Sequence, residues 1–232
     1  MDKRQALLEL AVKRKQTPPP EGSFRIGKYH EGIYECDHVS PYTKGADNVN
    51  AEIFVLLQDW GSNDEMSLPV VDLEKQKFEL RYGRTPGQET NNNLEPLLKQ
   101  YFSINLDRTY ATNLFPYIKG GEVSAEISDE DLRWAAKEFA LPQIAIVQPK
   151  LVICCGKDTF NAVRVAAGEK EVETVEEGIN ASFSLYGSQI WLQSHPGWMG
   201  QSNRKRYSGN ADQVNDDWEK MAASFPGLCS EQ

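Results

Sequence analysis

The sequence predicts an α/β protein of three layers, α/β/α, with helices on both faces of a mostly parallel four-stranded central sheet. Two apolar runs, 53–57 and 151–155, have the length and composition of strands buried on both faces. Helix-like segments alternate with the predicted strands, an order that favours parallel pairing. A chain of 232 residues with 40% apolar content suits one well-filled domain.

The first fifty residues are expected to form a helix followed by an irregular segment. Residues 2–15 predict a helix that Asp2 caps, with Leu7, Leu8 and Ala11 on its buried face. The following stretch is rich in Gly, Pro, Asp and Asn, and we expect four of its apolar side chains to be tucked into the domain: Tyr29, Ile33, Tyr34 and Tyr42. Residues 1–50 are thus predicted to pack on an α/β domain of residues 51–224, as one domain overall.

Four strands are predicted. They are 52–58, 108–113, 151–155 and the second arm of a hairpin that pairs 181–185 with 189–193. After the N-terminal helix, four helices are predicted with clear patterns, over residues 92–102, 129–147, 158–167 and 211–223. The charged range 71–83 is ambiguous and allows one more helix. We expect Ser128 to cap the long helix and Pro142 to kink or divide it. The ranges 84–93 and 168–180 are predicted to be polar loops.

Composition narrows the possible functions. The net charge of −9 argues mildly against a general nucleic-acid binder. Binding can still depend on a local basic patch, and Arg204-Lys205-Arg206 is the candidate. No apolar run approaches 18 residues, so no membrane partner is expected. The charged N-terminus predicts no secretory signal. A cytoplasmic location is the natural expectation.

The four cysteines do not predict a metal or a cluster. They are Cys36, Cys154, Cys155 and Cys229, with no Cys-x-x-Cys pair among them. Cys154 and Cys155 lie within an apolar run, where cysteine serves as a small buried hydrophobe. A zinc site or an iron–sulfur cluster is therefore not expected.

Polar residues stand where three of the predicted strands end. Gln58-Asp59 follows the first strand, Asn113 ends the second and His195 follows the fourth. Each alone has an ordinary structural explanation as a helix cap, a turn residue or a structural histidine. Ligands of open α/β sheets bind beyond the carboxyl ends of the strands. Together these residues predict a carboxylate, an amide and an imidazole on one rim of one sheet.

The order of these motifs resembles the uracil-DNA glycosylase superfamily. The resemblance runs from about residue 52 to residue 220 and rests on Gln58-Asp59, Thr112-Asn113, the strand after Pro149-Lys150, and His195-Pro196. It implies that Asp59 activates water and steadies the positive sugar, and that His195 stabilises charge on the departing base. It also implies that the backbone of Gln58 helps hold the base and that Asn113 reads its edge.

The resemblance further implies a monofunctional, monomeric DNA N-glycosylase without cofactor or metal, which removes a flipped-out base and leaves an abasic site. Gly197-Trp198-Met199-Gly200 is interpreted as a flexible loop whose Trp198 and Met199 wedge into the base stack, although core packing is as good an interpretation. Arg204, Lys205 and Arg206 are then expected to contact phosphates.

The chain departs from the family at Gln58-Asp59-Trp60-Gly61, where the uracil-specific proteins have Gln-Asp-Pro-Tyr. Gly61 takes the place of a tyrosine that presses on C5 of the base. We therefore expect a pocket that admits a substituent at C5, and the base to be uracil or a C5-modified pyrimidine. The stacking phenylalanine has no clear counterpart, and three residues are candidates by position: Phe78, Tyr82 and Phe115.

Three other functions remain open. The first is an anti-phage defence glycosylase that excises bulky cytosines, such as glucosylated hydroxymethylcytosine. The second is a catalytically silent nucleic-acid-binding domain, which an intact Asp59, Asn113 and His195 argues against. The third is a small-molecule nucleotide binder, for which Gly156-Lys157-Asp158-Thr159 lacks the glycine and Lys-Ser/Thr pair of a phosphate loop.

Overall fold

A five-stranded sheet forms the centre of the protein. The computed structural model describes residues 2–228, and the sheet order is β2-β1-β3-β5-β4. The strands are β1 (Ile53–Leu57), β2 (Tyr110–Asn113), β3 (Leu151–Cys155), β4 (Phe183–Leu185) and β5 (Ser188–Gln193). Strands β2, β1, β3 and β5 are parallel, and β4 runs antiparallel to β5. The α/β class and the four parallel strands are confirmed. The predicted count of four is wrong because the first arm of the hairpin also joins the sheet.

Ten α-helices surround the sheet within residues 2–228. They are α1 (Lys3–Gln16), α2 (Asn63–Met66), α3 (Leu73–Tyr82), α4 (Glu89–Phe102), α5 (Asp129–Ala135), α6 (Leu141–Val147), α7 (Lys157–Ala166), α8 (Val175–Asn180), α9 (Trp198–Ser208) and α10 (Gln213–Ala223). A π-helical turn, Ala136–Ala140, separates α5 from α6, so the predicted long helix is divided just before Pro142. Ser128 caps α5 as predicted. Every helix in this part of the chain is too short or too polar to cross a bilayer.

Both faces of the sheet are covered, which gives the three layers their hydrophobic cores. Along β1, Phe54 and Leu56 face one cluster, which is completed mainly by α5, α6 and α7. The alternate residues Ile53, Val55 and Leu57 face a second cluster, which contains side chains of α4 and α10. Because all five residues of β1 are buried, the sequence shows a continuous apolar run instead of alternation.

The N-terminal segment packs on this domain largely as expected. Asp2 caps α1, and Leu7 and Ala11 are buried, but Leu8 is 36% exposed. Leu8 lies about 100° around the helix from Leu7 and so leaves the buried face. Tyr29, Tyr34 and Tyr42 are buried as expected. Ile33 is 42% exposed, so the expectation that it is buried is wrong. The backbone of residue 24 bonds to that of residue 118, which ties the segment to the chain after β2.

Both predicted polar loops are shorter than expected because a helix occupies part of each. Helix α4 begins at Glu89, and α8 occupies the end of the range 168–180. Thr174 caps α8, and Gly178 lies so close to β5 that a Cβ there would sit 2.3 Å from Leu192 Cδ2. Helix α8 is therefore a packed element of the fold and not a surface loop.

The cysteines in the described residues agree with their interpretation as ordinary thiols. Cys154 and Cys155 are buried in β3, and burial raises the pKa of both. Cys36 is half-buried, and burial raises its pKa as well. Cys229 lies outside the described residues. The buried pair thus serves the core of the sheet, as predicted.

Candidate active site

The carboxyl ends of β1 and β2 bring Asp59 and Asn113 together. Leu57 pairs with Asn113 in the sheet, and the Asn113 Nδ2 atom donates to the Asp59 carbonyl oxygen at 2.7 Å. The Asn113 amide oxygen is also fixed, because Ser40 Oγ donates to Asn113 Oδ1 at 2.6 Å. Asn113 is only 1% exposed. An amide has two N–H groups and two oxygen lone pairs, so these bonds leave one donor and one acceptor for a ligand.

The Asp59 carboxylate faces a lysine that sequence reasoning missed. Lys119 Nζ lies 3.3 Å from Asp59 Oδ2, and the two side chains are 9% and 18% exposed. Burial raises the pKa of the Asp59 carboxyl, Lys119 opposes that rise, and the negative charge of Glu65 adds to it. A half-buried aspartate and a buried lysine therefore form an ion pair just after β1.

Backbone contacts fix the position of Lys119. Its N–H donates to the Gly61 carbonyl at 3.3 Å, and its carbonyl accepts from the Asn63 N–H at 2.8 Å. The next residue, Gly120, lies against the N-terminal segment, where a Cβ would sit 2.4 Å from the carbonyl oxygen of Gly22. The one available signal in the sequence was a lone cation between the apolar run Leu114 to Ile118 and two glycines.

His195 follows β5 and presents a neutral imidazole. Its Nδ1 atom accepts a hydrogen bond from the Gly197 N–H at 3.0 Å, so the ring proton belongs on Nε2. Burial lowers the pKa of His195, and the positive charge of Lys119 lowers it further. The ring therefore offers a neutral N–H donor at ordinary pH. The influence of Lys119 on both Asp59 and His195 places the three groups in one electrostatic site.

Three glycines enclose His195, and they explain why the predicted flexible loop is wrong. A Cβ on Gly200 would lie 2.2 Å from the His195 carbonyl oxygen, and a Cβ on Gly197 would lie 3.0 Å from its Nδ1. Gly156, at φ +104°, passes the other side of His195. Helix α9 begins at Trp198 with Gly197 as its N-cap. The glycines thus permit close packing of a helix on the histidine.

The outer side of α9 carries exposed aromatic, apolar and basic side chains. Trp198 and Met199 are each 64% exposed, which excludes the core-packing interpretation of both. Lys205 and Arg206 are exposed too, and the Arg206 guanidinium lies 4.7 Å from the centre of the Tyr207 ring. These side chains project from the helix that packs on His195.

Arg204 is not part of that exposed surface, and its assignment as a phosphate contact is wrong. It is 7% exposed and makes two hydrogen bonds to Asp217, at 2.6 Å and 2.9 Å, and a third to Glu176 at 2.6 Å. Arg204 lies four residues after Gly200, so it shares the inward face of α9. It joins α9 to α10 and α8.

Trp60 and Gly61, where the sequence departs from the family pattern, both have protein neighbours. Trp60 turns away to donate its indole N–H to the Gly83 carbonyl at 2.7 Å. A Cβ on Gly61 would meet only Met66, at 3.8 Å, which is ordinary contact. The flexible Met66 side chain therefore lies where a larger residue at 61 would extend.

The remaining base-site candidates differ in exposure. Gln58 is half-buried, and its carbonyl accepts from the Phe115 N–H at 2.8 Å. Phe115 is fully buried in the core. Phe78 and Tyr82 are half-buried on α3 and pack on each other with ring centres 4.6 Å apart. Phe78 and Tyr82 therefore pack on each other, and Phe115 belongs to the core.

Comparisons with known proteins do not assign this site. No protein-family model and no curated protein matches the sequence. The possible reactions of the site are therefore inferred from its functional groups. These are the Asp59 carboxylate, the Lys119 side chain, the neutral His195 N–H and the Asn113 amide, which has one donor and one acceptor unused.

Proposed function

We propose that this protein is a DNA glycosylase that hydrolyses the N-glycosidic bond of a flipped-out uracil or C5-modified pyrimidine and leaves an abasic site. The observation that carries the proposal is the bond between Asn113 and Asp59 at the ends of β2 and β1, together with a neutral His195 that follows the parallel strand β5 of the same sheet. The charge of Lys119 acts on both Asp59 and His195. Breaking an N-glycosidic bond produces a cation-like sugar and an anionic base. A site for this reaction needs a negative group for the first and hydrogen-bond donors for the second.

The electrostatics of the site support that division of roles. Asp59 supplies negative charge for the sugar and a base that orients water. His195 supplies a neutral Nε2–H donor for the oxygen of the departing pyrimidine. The remaining donor and acceptor of Asn113 suit the adjacent N–H and carbonyl of a pyrimidine edge. Fixed hydrogen bonds to the Asn113 amide, the Asp59 carboxylate and the His195 ring support these roles.

The deciding experiment is mass spectrometry of free bases released from a panel of duplex DNAs. The panel contains uracil, thymine mispaired with guanine, 5-hydroxymethylcytosine and its glucosylated form. We expect release of uracil or of a C5-modified pyrimidine from at least one DNA. Release of the glucosylated base would favour the defence role, and uracil alone would remove the C5 hypothesis. Release of no base by a folded protein that binds DNA would favour a silent binding domain and contradict the proposal.

Gly61 provides a second prediction within the same assay. Gly61→Ala is expected to fold normally, because its Cβ meets only Met66 at 3.8 Å. If residue 61 borders the C5 position, the added methyl lowers release of a C5-modified base several-fold relative to uracil, in keeping with about 1 kcal/mol for one misplaced methyl group. An unchanged ratio of the two rates would contradict a role of Gly61 in substrate choice.

The exposed start of α9 is proposed to enter the DNA. A large side chain beside the pocket can hold the duplex open after the base has left the stack. Trp198→Ala is expected to slow release from duplex DNA by about 10- to 100-fold, the value of about 1–3 kcal/mol for one stacking aromatic. Release from single-stranded DNA should change little, because no stack has to be opened.

Tyr207→Ala is the matched control for Trp198→Ala. Tyr207 is an aromatic residue on the same helix and is 77% exposed, but it lies nine residues further from His195 along α9. Equal losses with both variants would indicate a general effect of exposed aromatics on DNA binding. Equal losses on duplex and single-stranded DNA would contradict the wedge.

A further inference from the structure

Lys119 is a group that simple base hydrolysis does not require. A positive charge beside Asp59 works against the cation-like sugar that the carboxylate is there to stabilise. Yet the fold fixes Lys119 by backbone bonds on both sides and directs its Nζ to within 3.3 Å of Asp59 Oδ2. The amine of Lys119 thus has a proton acceptor within direct transfer distance, and an adjacent general base is one of the ways in which a nucleophile is activated.

We propose that Lys119 forms a covalent imine with the ring-opened aldehyde of an abasic site and that the protein thereby cleaves the DNA strand as a lyase. The inference rests on the proposed function for the supply of abasic DNA. It adds a second reaction on the first reaction's product, so the protein is bifunctional where the family resemblance implies a monofunctional enzyme.

The first half of the reaction uses Asp59 as the proton carrier. The Lys119 ammonium gives a proton to Asp59 Oδ2, and the free amine adds to C1′ of the open-chain sugar. Asp59 returns the proton to the resulting hydroxyl, which leaves as water, and a protonated imine remains. Lys119 Nζ lies 3.3 Å from Asp59 Oδ2, so the proton passes directly between the two groups.

The second half breaks the strand. Asp59, again a carboxylate, removes a proton from C2′, and the C–H electrons form an enamine. The enamine electrons then form the C2′–C3′ double bond as the C3′–O bond breaks, and the 3′ phosphate leaves with that electron pair. One water hydrolyses the protonated imine, which frees the Lys119 ammonium and an unsaturated aldehyde, and Asp59 releases the C2′ proton to solvent. Neither oxidant nor reductant is consumed.

The same lysine has a simpler possible use, as an ion-pair partner that keeps Asp59 charged. The two roles separate by substitution. Lys119→Arg retains the positive charge beside Asp59, but a guanidinium does not form the imine. A charge-balancing residue is rescued by arginine, whereas a nucleophile is not.

The experiment is reductive trapping on a duplex oligonucleotide that carries one preformed abasic site. With sodium borohydride, the wild-type protein is expected to give a covalent protein–DNA species, and peptide mass spectrometry should locate the adduct on Lys119. Lys119→Arg and Lys119→Met should lose at least 100-fold of the trapped species and of strand cleavage. Lys99→Arg, an exposed lysine on α4, is the matched control and should trap as the wild type does. Thermal unfolding of each variant verifies that it is folded.

The outcomes distinguish this inference from the proposed function. Base release by the wild type without trapping overturns the inference and leaves the glycosylase intact. Trapping that persists in a folded Lys119→Arg protein also overturns it. Trapping on Lys119 without base release from any DNA supports the inference and contradicts the glycosylase proposal.

Discussion

An Asp59→Asn protein is expected to bind DNA as tightly as the wild type while releasing bases on the order of 10²- to 10³-fold more slowly. Asparagine has nearly the same shape as aspartate, and the bond from Asn113 goes to the backbone carbonyl of residue 59, so the local fold should persist. In the proposed mechanism, the substitution removes the negative charge that stabilises the sugar and the carboxylate that orients water. Single-turnover release and DNA affinity, measured on the same oligonucleotide, separate the two effects.

The pH dependence of release gives the same prediction a second readout. Because the pKa of Asp59 is raised, the active carboxylate should be lost on acidification at a higher pH than an ordinary aspartate would show. Asp59→Asn should abolish this acid limb. Asp64→Asn makes the same chemical change at an exposed neighbour and should leave both rate and profile unchanged. A parallel loss of DNA binding and base release in Asp59→Asn would indicate that the variant is misfolded, whereas a pure binder would release no base even as the wild type.

The parts of the site that lie at strand ends could be predicted from the sequence. The apolar runs 53–57 and 151–155 fix two central strands, and parallel topology then brings the residues after each strand to one edge. That is why Asp59 and Asn113 were predicted to meet, and they do, at 2.7 Å between the Asn113 amide and the backbone of Asp59. This prediction required only the order of elements along the chain.

The parts that depend on how loops and helices pack could not be predicted. Lys119 reaches Asp59 because Gly120 allows close approach to Gly22, a contact between residues about a hundred positions apart. Gly197 and Gly200 are interpreted from the sequence as sources of flexibility, but a side chain at Gly200 would collide with His195 and one at Gly197 would crowd its ring. A glycine in a sequence does not tell whether it serves conformational freedom or close contact.

The basic run at the end of α9 illustrates the same difficulty with charge. Three successive cations look alike in the sequence, although consecutive residues of a helix point about 100° apart. Arg204 turns inward to Asp217 and Glu176, whereas Lys205 and Arg206 remain exposed. Only Lys205 and Arg206 are therefore available to a DNA backbone, and the function of Arg204 is to hold helices together.

Arg204→Ala is accordingly expected to lower the free energy of unfolding by about 3–5 kcal/mol, as does removal of one partner of a buried ion pair. The Arg204 and Asp217 side chains are 6% and 4% exposed, so the substitution leaves the Asp217 carboxylate buried without its main cation. Glu176 is 65% exposed and stays solvated, so most of the loss comes from Asp217. Urea unfolding of the purified proteins measures the difference.

Lys205→Ala is the matched control, because it removes the adjacent cation at an exposed position and should change the free energy of unfolding by no more than about 0.5 kcal/mol. The double variant Arg204→Met with Asp217→Leu tests whether the unpaired Asp217 carboxylate causes the loss of stability. It removes both charges together, so it should be more stable than Arg204→Ala, since no buried carboxylate is left alone. Weaker DNA binding by Arg204→Ala at an unchanged free energy of unfolding would instead support Arg204 as a phosphate contact. Because Gly200, which packs on His195, and the exposed Trp198 both lie in α9, a loosened Arg204 anchor should also shift Trp198 relative to the imidazole.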